Sequence, residues 1–160
     1  IMSSLGVLLL VTFLFTAITY ADSRFYNFSK PGNVKEEKIK TEIDDSLSKF
    51  ENEVDTDVAK AHNISLKDYD KIDFNKLFDK NNKEYSSLRN IVMNIIHSQA
   101  NGDIKPSLYL SKDKKEAYIL EKKNDGTNCL YTLKDSNGWK VVDTNKKPGK
   151  YFTSELDSNK

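Results

Sequence analysis

Cysteine is almost missing from this chain, with Cys129 alone in 160 residues. A lone thiol excludes an intramolecular disulfide, so the fold must be held by its apolar core. It also stands far from the apolar N-terminus, which excludes a lipoprotein-type anchor. Histidine is scarce as well, with only His62 and His97. Neither belongs to a His-Glu-x-x-His pattern and Cys129 has no companion, so no metal ligands are expected. The six glycines form no phosphate-cradling loop and no Gly-x-Ser-x-Gly elbow, and no catalytic residue or cofactor is assigned. Net charge is nearly absent too: 25 Lys and Arg against 24 Asp and Glu leave +1. Without a basic excess the long-range attraction to a polyanion is missing, and nucleic acid is not expected as a partner.

Charge is wholly absent from residues 1–21, while the stretch from Leu5 to Tyr20 is dominated by Leu, Val, Phe, Ile and Thr. Such a segment is expected to be a signal peptide, with Thr19-Tyr20-Ala21 as a small-x-small cleavage site, or an uncleaved membrane anchor near the length that spans a bilayer. Either way the chain meets a membrane through residues 1–21, and the expected location is secreted or anchored on the outer side of the cytoplasmic membrane. The richness in Lys, Asn and Asp fits an AT-rich, low-GC Gram-positive genome. Residues 22–38, with Pro31-Gly32-Asn33, read as a linker. Residues 39–145 read as one α+β domain and 146–160 as a polar tail, frayed unless Tyr151 and Phe152 dock.

Within the domain, Ile39, Ile43, Leu47, Phe50, Val54, Val58 and Ala61 recur by fours and threes, predicting an amphipathic helix that stops at Asn63. Ser65 and Asp68 resemble a capping box for a second helix with Tyr69, Ile72, Leu77 and Phe78 inward, broken at Asp73. A third helix is predicted from Glu84 to Ala100, its apolar face built from Leu88, Ile91, Val92, Ile95 and Ile96. After Pro106 the period becomes two, predicting a four-stranded antiparallel meander near Ser107–Ser111, Glu116–Lys123, Asn128–Lys134 and Trp139–Asp143. Asp125-Gly126 and Asn137-Gly138 suggest two-residue type I′ turns. Those turns would set Leu120 opposite Tyr131, Tyr118 opposite Leu133, Lys122 opposite Cys129, Leu133 opposite Val142 and Asp135 opposite Lys140. One face then gathers Tyr118, Leu120, Cys129, Tyr131, Leu133 and Val142 under the helices, and the other carries Ala117, Ile119, Leu130, Trp139 and Val141 among polar residues.

The acidic run Asp68, Asp70, Asp73, Asn75, Asp79 lacks the glycine of a calcium loop and reads as a solvated cluster. Cys129 reads as a packed, inert thiol. The half-apolar face of Ile119, Leu130, Trp139 and Val141 is the candidate ligand or partner site, since an uncovered apolar surface marks an interface; its bland counterpart is coverage by another segment of the same domain.

Helices first and an antiparallel meander last, ending in the Leu130–Asp143 hairpin with its Asp-Ser-Asn-Gly-Trp-Lys-Val-Val-Asp run, resembles the exported NTF2-like or cystatin-like domains of Gram-positive bacteria. The resemblance implies a curved sheet wrapped on helices, with a cavity used for binding or dimer formation and in some members for catalysis. The function expected is a non-catalytic binding or assembly module of the cell envelope, with a protein partner or a homodimer. Two other readings stay open: a small secreted hydrolase-like enzyme using His97 or an Asp as acid or base, and an oligomer joined through Leu47 and Phe50 of the first helix.

Overall fold

The computed structural model describes residues 34–79 and 83–152. The signal or anchor segment 1–21, with its expected hydrophobic helix, lies outside the described residues, as do most of the 22–38 linker and the tail from Thr153. The described chain is α+β, in the order α1 Val34–His62, β1 Tyr69–Lys71, α2 Phe74–Phe78, α3 Ser86–His97, β2 Ile104–Ser111, β3 Glu116–Lys122, β4 Asn128–Asp135 and β5 Trp139–Lys147. The described residues divide into two compact units, one ending at Val54 on α1 and including Phe152, the other running from Asp55 to Tyr151. No helix among the described residues is long and apolar enough to cross a membrane.

In the first unit α1 already begins at Val34, inside the expected linker. Ile43 and Val54 are buried there, and Phe50 meets Phe152 edge-on with ring centroids 5.8 Å apart, so one ring of the expected tail is docked.

The second unit takes over α1 at Asp55. The helix ends where the sequence suggests: Asn63 turns left-handed at φ 55. Ile64 N–H then donates to Ala59 O at 3.1 Å and Asn63 N–H to Lys60 O at 3.2 Å, the paired bonds of a Schellman stop.

The expected second helix from Ser65 does not form. Ser65 Oγ caps only a turn, accepting from Lys67 N–H at 3.4 Å. Residues 69–71 instead become a strand, with Tyr69 opposite Ser111 and Lys71 opposite Tyr109. Tyr69 stacks on Tyr118 at 4.7 Å, a sheet contact that outweighs the local helical spacing. Helix resumes only at α2, capped by Asp73, whose carboxylate accepts from Asn75 N–H at 2.7 Å.

β1 therefore adds to the expected four strands, giving a five-stranded antiparallel sheet in the order β1-β2-β3-β4-β5. Both expected hairpin registers are off by one. Leu120 faces Leu130, Tyr118 faces Thr132 and Lys122 faces Asn128; Leu133 faces Val141 and Asp135 faces Trp139. The cause lies in the turns. Lys123 N–H closes on Thr127 O at 2.9 Å, so the loop is Asn124-Asp125-Gly126, with Gly126 at φ 85 and Asp125 outside the left-handed region. A left-handed glycine ending a three-residue loop replaces the type I′ pair. The next loop, Ser136-Asn137-Gly138, also has an extra residue, with Gly138 N–H held by Asp135 Oδ1 at 2.9 Å.

Both faces of the sheet are covered over β2 and β3, which is why these strands read as apolar runs rather than strict alternation. Leu108, Leu110, Ala117, Ile119 and Leu133 pack with Leu77 of α2 and Leu88, Val92 and Ile95 of α3. On the other face Tyr109, Leu120 and Leu130 pack with Val58 and Ala59 of α1, joined by Ile64, Leu66 and Tyr69. Burying each of the Leu, Ile and Val side chains among these contributes about 1.5–3 kcal/mol.

Candidate functional site

The four residues expected to share a half-apolar face do not form one surface. Ile119 is fully buried in the core beside α3, and Trp139 is half-buried against that same cluster. Val141, opposite Leu133, is on that face as well but 42% exposed. Leu130 lies across the sheet, packed with α1. The two register shifts explain this split. Shifting β4 against β3 by one residue sends Leu130 to the far side, and the second shift returns Trp139 and Val141 to the side of Ile119. Coverage by helices, rather than an open patch, is what the structure shows for Ile119 and Leu130.

Buried charge is the feature that the periodicity did not reveal. Lys122 is 1% exposed. Its ammonium donates to Asp57 Oδ2 on α1 and to Asn128 Oδ1 at 2.8 Å. Asn128 Nδ2 and the backbone N–H of Lys150 also donate to Asp57 Oδ2, at 3.0 and 3.2 Å. Burial pushes the Asp57 carboxyl up, but the hydrogen bonds from Lys122, Asn128 and Lys150 outweigh it and hold the group below the usual carboxylate range. The expected polar tail is thus partly strand, through Lys147, and partly a strap over this pair.

On the opposite face Glu121 is buried and accepts from Gln99 Nε2 at 2.9 Å, Lys123 Nζ at 2.8 Å and Tyr131 Oη at 2.8 Å. Lys123 also reaches Asp103 at 3.0 Å. A third pair joins Asp55 of α1 to Lys71 Nζ at 2.8 Å and Tyr109 Oη at 2.7 Å. Every side-chain polar atom buried among the described residues has a partner. Satisfied networks of this kind orient helices on a sheet.

Cys129 is buried opposite Glu121, and desolvation first, then that carboxylate, push its thiol up. His97 is exposed on α3, and His62 Nε2 lies 3.2 Å from Asn128 O. Asp70 sits on β1 while Asp73 caps α2, so the acidic run is dispersed over two elements. No group of three or more His, Cys, Asp or Glu among the described residues is placed to hold a metal ion.

The remaining candidate is β5. It is nine residues long and, among the described residues, pairs with β4 alone. Lys140 through Lys146 are all exposed. Val141 and Val142 stand out at 42% and 54% exposure. Residues 139–150 carry Lys140, Lys146, Lys147 and Lys150 against Asp143, a local net of +3 in a chain of +1. Among the described residues Lys140, Lys146 and Lys147 enter no ion pair, whereas Lys134 on β4 is held by Glu116 at 3.0 Å. The signal for this edge in the sequence is the polar, lysine-bearing end of the last strand, which reads as tail when taken by itself.

The fold and the site define an α+β domain with a five-stranded antiparallel sheet and, among the described residues, one long edge strand paired on one side only. No protein-family model, curated protein or solved structure matches the chain.

Proposed function

We propose that this chain is a non-catalytic binding or assembly module of a bacterial cell envelope, and that it docks its partner along β5. The carrying observation is the strand itself: nine residues at the sheet edge, exposed from Lys140 to Lys146, with a row of backbone groups facing away from β4. An edge strand of this length is a template for another extended chain unless something covers it. Export is supported by the uncharged apolar segment 1–21, acting as a cleaved signal or as an anchoring hydrophobic helix. Kinship with exported NTF2-like or cystatin-like domains belongs to the same proposal, supported by a sheet that is packed on helices and ends in the β4–β5 hairpin.

Two measurements on intact cells test it. External protease is expected to digest a C-terminally tagged chain without lysis; protection until lysis sinks the export reading. A photo-crosslinking residue at Val142 is expected to give a discrete adduct that the same residue at exposed Asn94 on α3 does not. Equal labelling from both positions, or none from Val142, removes β5 as the docking element.

A further inference from the structure

Building on the docking role proposed for β5, we infer that its occupant is an acidic, extended polypeptide segment that adds a strand beside it. Three observations converge on that chemistry.

First, the groups left open along the outer side of a strand alternate between N–H donors and C=O acceptors, and another peptide backbone meets both at the strand spacing. An inorganic anion offers acceptors only, and a lipid headgroup does not repeat donor and acceptor at the strand spacing. Second, the edge is locally basic, with Lys140, Lys146, Lys147 and Lys150 against Asp143, and Lys140, Lys146 and Lys147 enter no ion pair among the described residues. Lys140 stands opposite Lys134 within the sheet, and that neighbour already holds Glu116 at 3.0 Å. A carboxylate arriving on the outer side would give Lys140 the opposite charge that its inner neighbour denies it.

Third, the same charges oppose a second copy of the chain. Two β5 strands paired antiparallel over their full length bring Lys140 of each against Lys146 of the other, and Asp143 against Asp143. Like charges directly opposed across a ladder are destabilising. An incoming strand with Glu or Asp opposite Lys140 and Lys146 reverses the sign of both contacts. Val141 and Val142, the exposed apolar residues of the edge, favour a β-branched or aromatic side chain between those acids.

The test uses two end-blocked peptides as long as β5, one alternating threonine with glutamate and the other threonine with lysine. Each is titrated against the nitrogen-15-labelled full chain and followed by amide shifts. The acidic peptide is expected to move the β5 and β4 amides and to bind about tenfold more tightly than the basic one. Lys140→Glu combined with Lys146→Glu is expected to invert that order. Both side chains are exposed, so amide dispersion should persist; Lys140→Gln with Lys146→Gln, which abolishes the preference without inverting it, serves if it does not. Equal binding of both peptides at β5 leaves the docking edge standing and overturns its acidic preference. Amides of β5 unmoved by either peptide overturn the docking role and the inference together. Shifts in β5 that grow with protein concentration alone assign the edge to a second copy. Binding to phosphatidylglycerol vesicles, lost in the charge-swapped chain while neither peptide moves β5, assigns it to lipid. Either of these last two results also overturns the acidic strand.

Discussion

Gly149 lies so close to Asp57 that a β-carbon at position 149 would fall 2.7 Å from Asp57 Oδ2, and 2.6 Å from Asn128 Cγ. The glycine is there for space, because it lets the chain after β5 lie flat on a carboxylate and an amide that Lys122 already holds. Asn128 is fully buried, so it has little room to withdraw. Gly149→Ala is therefore expected to cost about 1–3 kcal/mol, read from urea unfolding at neutral pH. An unchanged midpoint would mean that the strap lifts off without consequence.

Lys122 and Asp57 should behave as one unit. Lys122→Met removes the buried cation and leaves Asp57 and Asn128 short of a donor, for an expected loss of about 3 kcal/mol. Combined with Asp57→Asn, the total should fall short of the sum of the single losses by at least about 1 kcal/mol. Strict additivity in a double-mutant cycle would show that the two side chains act separately.

The same pair sets a pH dependence with a defined sign. The Asp57 carboxyl is held below its ordinary value of 3.8 in the folded chain, so the folded state favours the charged form. That contribution is complete above the ordinary value and is lost as pH falls through the lower, folded one. The stability gap between the native chain and Asp57→Asn should be constant near pH 6 and shrink below about pH 3.8. A gap that widens on acidification contradicts the assignment.

Cys129 is the only thiol in the chain, and its burial raises its pKa. A thiol-disulfide reagent should therefore label the native protein at least about 100-fold more slowly than the same chain in denaturant. Comparable rates would place the thiol at the surface.

Asn63 carries the left-handed stop of α1. Asn63→Ala should lower stability by about 1 kcal/mol, whereas Asn63→Gly should hold or raise it. Equal effects of the two substitutions would remove the conformational argument.

Elements with a sustained period were legible from sequence. Val54 and Val58 on α1, and Leu88, Val92 and Ile95 on α3, are inward as their spacing requires, and β3, β4 and β5 start where alternation places them, whereas β2 starts earlier, at Ile104, and takes in Pro106. Two kinds of information were not legible. Asp-Gly and Asn-Gly pairs suit a two-residue loop and the end of a three-residue loop alike, so the dipeptide alone does not decide the register; hydrogen bonding across the whole hairpin does. Tyr69–Lys71 is too short for any period to show, and its strand identity comes from the edge of β2. Leu130 lies on the other face from Ile119 for the first reason. The buried charges at Glu121 and Lys122 escaped because charged residues in alternation read as solvated. Only the partners, Gln99 and Tyr131 on one side and Asp57 and Asn128 on the other, make their burial affordable.

The bond from Lys150 N–H to Asp57 bridges 93 positions of the chain. During synthesis Asp57 therefore waits for residue 150 before its last donor arrives, and a nascent chain halted after β5 lacks that bond. Closure of so long a loop is among the slower steps a chain of this size can take. A polypeptide whose last buried-charge contact is so late stays pliable until residue 150 has emerged.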